Sequence, residues 1–398
     1  MGKINTKMNT KLIVFYLFLH SLLMPLNYFF SESAISNIEI IILLLLSCFA
    51  LIINQFNIPK KLIIFYIVVM LFLLINLFLI NYKNYVAPLA LRIIINSFLP
   101  LYLIGVKEID FDLILYYWYR FSIFTSIFYL PILFLFREHK VISYYEVAQF
   151  VHLNCIILFY WILVNNKKNI FTILFLVLNF LMMFLQGSRM MLIATIFTFL
   201  VTIYFLTQNK KSKQFIYSTA TTIILFFTFF NLENILLLIS NVLFKYDIQS
   251  RNVTLLLEYV QGASFSEIGS GRDAIYPLAI DSIKKSNGLP QGLGVIRNLT
   301  HGYYFHAHNF FLEMLITFGL FLTILFLFWG AYKFFILLKN YKKKSMFNFF
   351  VLMAIPYFIR SLVGTYFLTD SYFLVVFSIL FWIKKTERVN ENNIDIIL

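Results

Sequence analysis

Apolar runs of around twenty residues recur along this chain, near 12 to 30, 39 to 56, 62 to 80, 88 to 105, 113 to 136, 145 to 164, 170 to 186, 190 to 207 and 215 to 231, then 309 to 332, 346 to 363 and 367 to 383. Each is long enough to cross roughly 30 Å of hydrocarbon as a helix. The pattern predicts an all-α integral membrane protein with about twelve transmembrane helices. It also divides the chain into nine N-terminal spans over 1–231, a polar interruption over 232–307, and C-terminal spans with a tail over 308–398. A first run with a positive flank would suit a signal peptide, but a second span follows it and no convincing small-residue cleavage site is present, so a retained helix is expected.

Composition agrees with that pattern. With 61% apolar and 13% charged residues, the chain has too little polar surface to cover a soluble domain of its size. The formal charge of +14 is mostly a topological signal and calls for no nucleic-acid partner. Alternate connections hold Lys3, Lys7 and Lys11, then Lys60 and Lys61, Lys107, Lys167 and Lys168, Lys210, Lys211 and Lys213, Lys339 with Lys342 to Lys344, and Lys384, Lys385 and Arg388. The intervening short connections carry at most Lys83, Arg137 with Lys140, Arg189, and Arg360. Because cytoplasmic loops collect positive charge, both termini are expected in the cytoplasm and the long interruption outside. Cys48 and Cys155 both fall inside predicted spans, which argues against a disulfide framework or a thiolate metal site.

The interruption has internal structure of its own. Leu232 to Phe244 is apolar but too short to span, and is expected as an interfacial amphipathic helix. Ser270-Gly-Arg-Asp has the form of a capping box, and Ile275, Leu278, Ala279 and Ile283 follow at helical spacing, predicting a helix over about 271 to 286. Arg272 in its first turn, beside free N–H groups, suits an anion; the plain alternative is an arginine reaching to lipid headgroups. The stretch from Asn287 to Gly294 permits tight turns, either as structure or as backbone presented to substrate. It matches neither a phosphate-binding P-loop nor a dinucleotide fingerprint. The loop also holds Lys245, Arg251, Lys284, Lys285 and Arg297, and ends in His301, Tyr303, Tyr304, His306, His308 and Asn309. Cations and histidines at a membrane surface point to an anionic, lipid-borne substrate. A His-x-His pair could give a metal two ligands, but no third ligand lies at a suitable spacing, so no metal is expected.

Four short motifs occur in order: Gly187-Ser188-Arg189 opening a span, Gly269-Ser270-Gly271-Arg272 in the loop, Gly292-Leu293-Gly294, and His308-Asn309-Phe310-Phe311-Leu312-Glu313 running into a span with Gly319. Their order and spacing resemble the O-antigen polymerase and ligase superfamily, over roughly Leu181 to Gly319. The resemblance implies a class C type, multi-pass glycosyltransferase at the outer face of the inner (cytoplasmic) membrane, using glycans carried on undecaprenyl diphosphate, with no cofactor at the reaction centre. It also leads one to expect a chain-length regulator as partner. Residue by residue, it implies His308 as general base, with Arg272 and Arg189 steadying the departing diphosphate through two-pronged hydrogen bonds. His306, Asn309, Glu313, Arg251, Arg297, Tyr303 and Tyr304 are then candidate substrate-binding residues. His306 rivals His308, and on a helix two residues two apart would diverge, so that only one would face a given sugar. Asn309 is a candidate to orient the base or cap the helix, and Glu313 to balance charge.

Polar groups within spans form a second rank: Arg92 with Asn96 one turn on, Arg120, and Glu146, Gln149 and His152 on one face. They suit either a water-filled cavity or paired charges holding the bundle. Polymerisation of repeat units is the leading functional reading, since the Phe-, Ile- and Asn-rich composition resembles polymerases of specialised polysaccharide clusters. Ligation of glycan to a lipid A core stands second. A flippase of lipid-linked sugars stands third, as no internal repeat is visible.

Overall fold

The computed structural model describes residues 2–23, 25–26, 29–79, 83–106, 109–135, 144–164, 169–186, 188–206, 215, 219, 230–245, 250–262, 272–341, 344–362, 364 and 366–383. Among them only helices and turns occur. The long helices are α1 Gly2–Leu23, α2 Glu32–Ile53, α3 Lys60–Leu79, α4 Lys83–Val106, α5 Phe111–Leu135, α6 Tyr144–Val164, α7 Ile170–Gln186 and α8 Arg189–Val201, the last running into a π-helical turn at Thr202–Leu206. After the interruption come α9 Leu232–Lys245, α10 Arg251–Val260, α11 Arg272–Lys285, α12 Val295–Leu299, α13 Phe310–Tyr341, α14 Ser345–Ser361 and α15 Ser371–Trp382.

Five described helices are long and apolar enough to cross a membrane: 33–53, 60–78, 85–106, 147–164 and 310–341. Shorter apolar helices cover 170–185, 189–205, 345–361 and 371–382. The expected ninth span at 215–231 lies almost wholly outside the described residues. Helix ends shift from the apolar runs for local reasons. The helix of the first run begins at Gly2, taking in Lys3, Lys7 and Lys11, because helix continues wherever its backbone bonds are made and need not stop at the edge of hydrocarbon. The helix of the last run begins only at Ser371, because the Asp370 carboxylate caps it by accepting from the Phe373 N–H at 3.0 Å.

The bundle centre is formed by α1, α4, α5, α6, α14 and α15, whose buried residues make one continuous core. Helix α6 is buried along most of its length, whereas α3 and α7 turn Ile63, Ile64, Ile67, Phe171 and Leu174 outward, the inverted exposure that lipid as solvent permits. Side-chain amides and hydroxyls tie the helices together inside. Asn9 and Asn54 exchange amide bonds at 2.9 and 3.0 Å, and Asn154 donates to Asn179 at 3.1 Å.

In the interruption, the helices expected near 232–244 and 271–286 are present as α9 and α11. Ile275 and Ala279 of α11 are buried and Ile283 packs beside them, while Leu278 is exposed. The capping residues Ser270 and Gly271 lie outside the described residues. The turn from Asn287 to Gly294 docks into a break in α13. Gly319 there has φ 74° and ψ 174°, conformations reserved essentially for glycine. The break frees backbone groups, and the turn takes them up: Leu320 N–H donates to Gly288 O at 2.8 Å and Gln291 N–H to Ile316 O at 2.8 Å. Leu293 N–H then donates to the Asn76 side chain of α3 at 2.9 Å, tying the turn to the N-terminal helices.

Candidate active site

The segment 301–309 between α12 and α13 makes turns, not helix, and this decides how its histidines lie. Helix begins only at Phe310, because the Asn309 side chain caps it, accepting from Phe311 and Leu312 N–H at 3.0 and 3.2 Å. Asn309 also donates to Leu362 O at 3.1 Å, joining the cap to the connection after α14. His308 has a left-handed backbone, φ 53°, a conformation that costs a non-glycine residue about 1–3 kcal/mol and needs surrounding structure to hold it. The expected divergence of His306 and His308 is therefore corrected: their ring centroids are 4.2 Å apart. Helical geometry would have separated them, and the chain here is not yet helical.

The surroundings keep both imidazoles neutral near pH 7. Burial, then the neighbouring His308, pushes His306 down to about 3, against a weaker opposing effect of the Gly364 backbone. Burial, then the positive charge of Arg272, pushes His308 down to about 4. Arg272, first residue of α11, thus acts electrically on His308. The Tyr276 hydroxyl of the same helix donates to His308 O at 3.4 Å. The Tyr304 ring stands edge-on to His308 at 6.3 Å and to the largely exposed Tyr303 at 4.7 Å. Glu313 is buried and accepts from Ala307 N–H at 2.7 Å, so it braces the turn between the two histidines.

His306 faces inward. It lines a cavity of about 260 Å³ reached by residues of α1, α2, α4 and α6 and by the chain between α14 and α15. Its Nε2 is buried with no partner among the described residues, as is the Tyr366 hydroxyl, whose ring lies 5.6 Å away. Arg92, Glu39, Gln149, Asn96 and an Arg360–Asp370 ion pair supply the other polar walls. That pair, 2.8 Å long and almost fully buried, holds α14 against the start of α15. The His20 Nδ1 lies 3.3 Å from the Glu39 carboxylate, and Arg92 donates to the Ser36 hydroxyl. The cavity thus gathers the Arg92 guanidinium, the Arg360–Asp370 pair, the Glu39 carboxylate and the His306 ring in one place.

The remaining candidates are distributed more widely. The Arg297 guanidinium lies between the rings of Tyr85 and Phe305, 4.6 Å from each centroid, an arrangement that fastens the loop to α4. Arg189 occupies the first turn of α8 and is not among the cavity-lining residues. Arg251 opens α10, and its side chain lies outside the described residues, as does that of Glu146. Neighbouring Ser250 and Asn252 donate to Leu185 O and Phe184 O at 2.9 and 3.1 Å, fixing α10 to the end of α7. Of the second rank, Arg92, Asn96 and Gln149 join the cavity. His152 is fully buried behind it, 2.6 Å from the Thr195 hydroxyl, and Arg120 is exposed on the outside of α5. His20, Glu39, Tyr366 and Asp370 carried no motif; their signal is that ionisable or phenolic groups in or beside spans are costly unless used or paired. No group of three His, Cys, Asp or Glu side chains that could hold a metal occurs among the described residues.

Residues 174–327, from within α7 to the middle of α13, match the family model described as O-antigen ligase. No curated protein matches the chain.

Proposed function

We propose that this membrane protein, whose residues 174–327 match the O-antigen ligase family model, is a polymerase of O-antigen or similar surface-polysaccharide repeat units, working on undecaprenyl-diphosphate-linked glycans at the outer face of the cytoplasmic membrane. The observation that carries the reading is the close approach of His308 to His306, which lines the polar cavity holding Arg92 and Arg360; both histidines lie inside the matched segment. In the proposed reaction an acceptor sugar hydroxyl attacks the anomeric carbon of the donor glycan. Its proton passes to the His308 ring, and the bond from that carbon to the diphosphate breaks with the electron pair leaving on oxygen. Neutral His308 has the free lone pair this requires. As the anionic donor enters, it offsets the Arg272 charge and raises the histidine's affinity for the proton at the moment of transfer. Arg272, with Arg189 where the substrate reaches it, spreads the charge of the leaving diphosphate. His306, Tyr303, Tyr304 and Asn309 are proposed to hold sugar, and Glu313 to fix the turn.

Ligation to a lipid A core is the second reading, favoured by the description of the matching family. Incubating the purified chain with a synthetic repeat unit on undecaprenyl diphosphate separates the two. Polymerisation yields a ladder of products unaffected by chelator, and His308→Ala cuts its rate by about 10²–10⁴-fold. Absence of a ladder, with transfer restored by lipid A core, assigns ligation. Full activity in His308→Ala would refute the base.

A further inference from the structure

Glu39 is the only charged residue between Ser33 and Ile53, in a helix otherwise apolar and long enough to cross a membrane. A carboxylate there is costly unless it is paired or used. Its one ion pair among the described residues is with His20, whose Nδ1 lies 3.3 Å from Oε2, and both side chains stay partly open, at 24% and 42% exposure. Oε1 takes no hydrogen bond among the described residues. Arg92 lines the same cavity and donates to Ser36, one turn before Glu39, yet makes no ion pair with Glu39. An acid and a base thus share one cavity without meeting.

The balance of charge there limits what can enter. Two guanidiniums, of Arg92 and Arg360, stand against two carboxylates, of Glu39 and Asp370, and Arg360 is already committed to Asp370 at 2.8 Å. A diphosphate would find no net positive charge, whereas a sugar hydroxyl can donate to Glu39 and accept from Arg92 at once. The cavity of about 260 Å³ has room for about nine waters at about 30 Å³ each, the scale of one sugar ring. We propose that Glu39 is the residue that selects the acceptor sugar, admitting neutral and amino-bearing rings and rejecting uronic acids. The proposal rests on the reading of His308 as base for an acceptor hydroxyl, since His306 joins that ring to this cavity. A uronate would bring a second negative charge toward Glu39, and like charges brought together are penalised. Arg92 offsets this only weakly, because it is exposed and screened by water.

The test uses the full-length chain in detergent and saturation-transfer NMR, with methyl glycosides of glucose and galactose, their 2-amino forms and their uronic acids as probes. Wild type should bind the neutral and amino forms at least about tenfold better than the uronates, and Glu39→Gln, which keeps size and removes charge, should bring the two within about twofold. Thermal unfolding of the same variant separates selection from a bracing role beside His20, which would lower stability and weaken all sugars alike. Uronates bound as well as neutral rings by wild type, a ratio unmoved in Glu39→Gln, or no binding of any probe overturns the proposal. Charge-selective binding in a chain that builds no product ladder would sink the polymerase and leave the sugar site. A ladder that extends uronate-ended and neutral-ended acceptors equally would do the reverse.

Discussion

Replacing Gly319 by alanine should cost far more than one methyl group usually does. A Cβ at this position would stand 2.7 Å from Pro290 N, 2.8 Å from Gly288 O and 2.8 Å from Pro290 Cδ. These are backbone and ring atoms that cannot rotate aside, so the turn itself must move, at about 1–3 kcal/mol for the crowding. The backbone angles add about 1–3 kcal/mol more, because an alanine is poorly accommodated at φ 74° and ψ 174°. Together the loss is about 2–6 kcal/mol, and it falls on the contacts that hold 287–294 to α13 and, through Leu293, to α3. The control is Gly330→Ala in the same helix, where nothing lies within 4 Å of the added Cβ and alanine should stabilise by about 0.5–1 kcal/mol. Thermal unfolding of both variants in detergent, paired with the product ladder, reads the effect. Gly319→Ala should unfold several degrees lower and transfer glycan more slowly. Equal stability and activity of the two variants would refute the claim that the Gly-rich turn is seated by the break in α13.

Arg360→Ala leaves the Asp370 carboxylate buried without its guanidinium partner, an expected loss of about 3–5 kcal/mol in thermal unfolding, with Arg360→Lys recovering part of it. Asn309→Ala removes the cap of α13, costing about 1 kcal/mol, and should lower transfer because the cap ends the turn that carries His308. Protonation also bears on stability. His306 and His308 titrate near 6.5 when unfolded but are held near 3 and 4 in the fold, so their contribution is complete above pH 6.5 and is lost as pH falls through 4 and then 3. The slope is on the order of 1 kcal/mol per pH unit for each histidine, and unfolding temperatures measured between pH 7.5 and 4.5 should fall less in His306→Gln than in wild type. A parallel course would show that His306 is not held neutral by the fold.

Local chemistry made much of the molecule legible. Apolar runs long enough for hydrocarbon marked α2, α3, α4, α6 and α13, since lipid leaves the backbone no alternative to its own helical bonds. An apolar run too short to span indicated α9, a capping-box pattern followed by helical spacing indicated α11, and the glycines around Gly292 indicated turns. Sequence separation also misled at one point. His306 and His308 were expected to diverge by helical geometry, yet Asn309 delays the helix and the imidazoles meet.

What a linear reading could not supply is convergence. Arg92, Gln149, His306 and Arg360 each look like an isolated polar residue in or beside an apolar run, and nothing near any one of them names the others. Packing of α4 against α2 and α15, and of α14 against α15, brings them to one cavity, where the buried Arg360 charge finds its partner in Asp370. The amino-acid pattern alone therefore determined that this chain is a membrane helix bundle carrying a histidine-and-arginine loop. Tertiary structure decided that His306 turns toward a polar chamber and that Gly319 receives the glycine-rich turn, both of which depend on contacts between residues far apart in the chain.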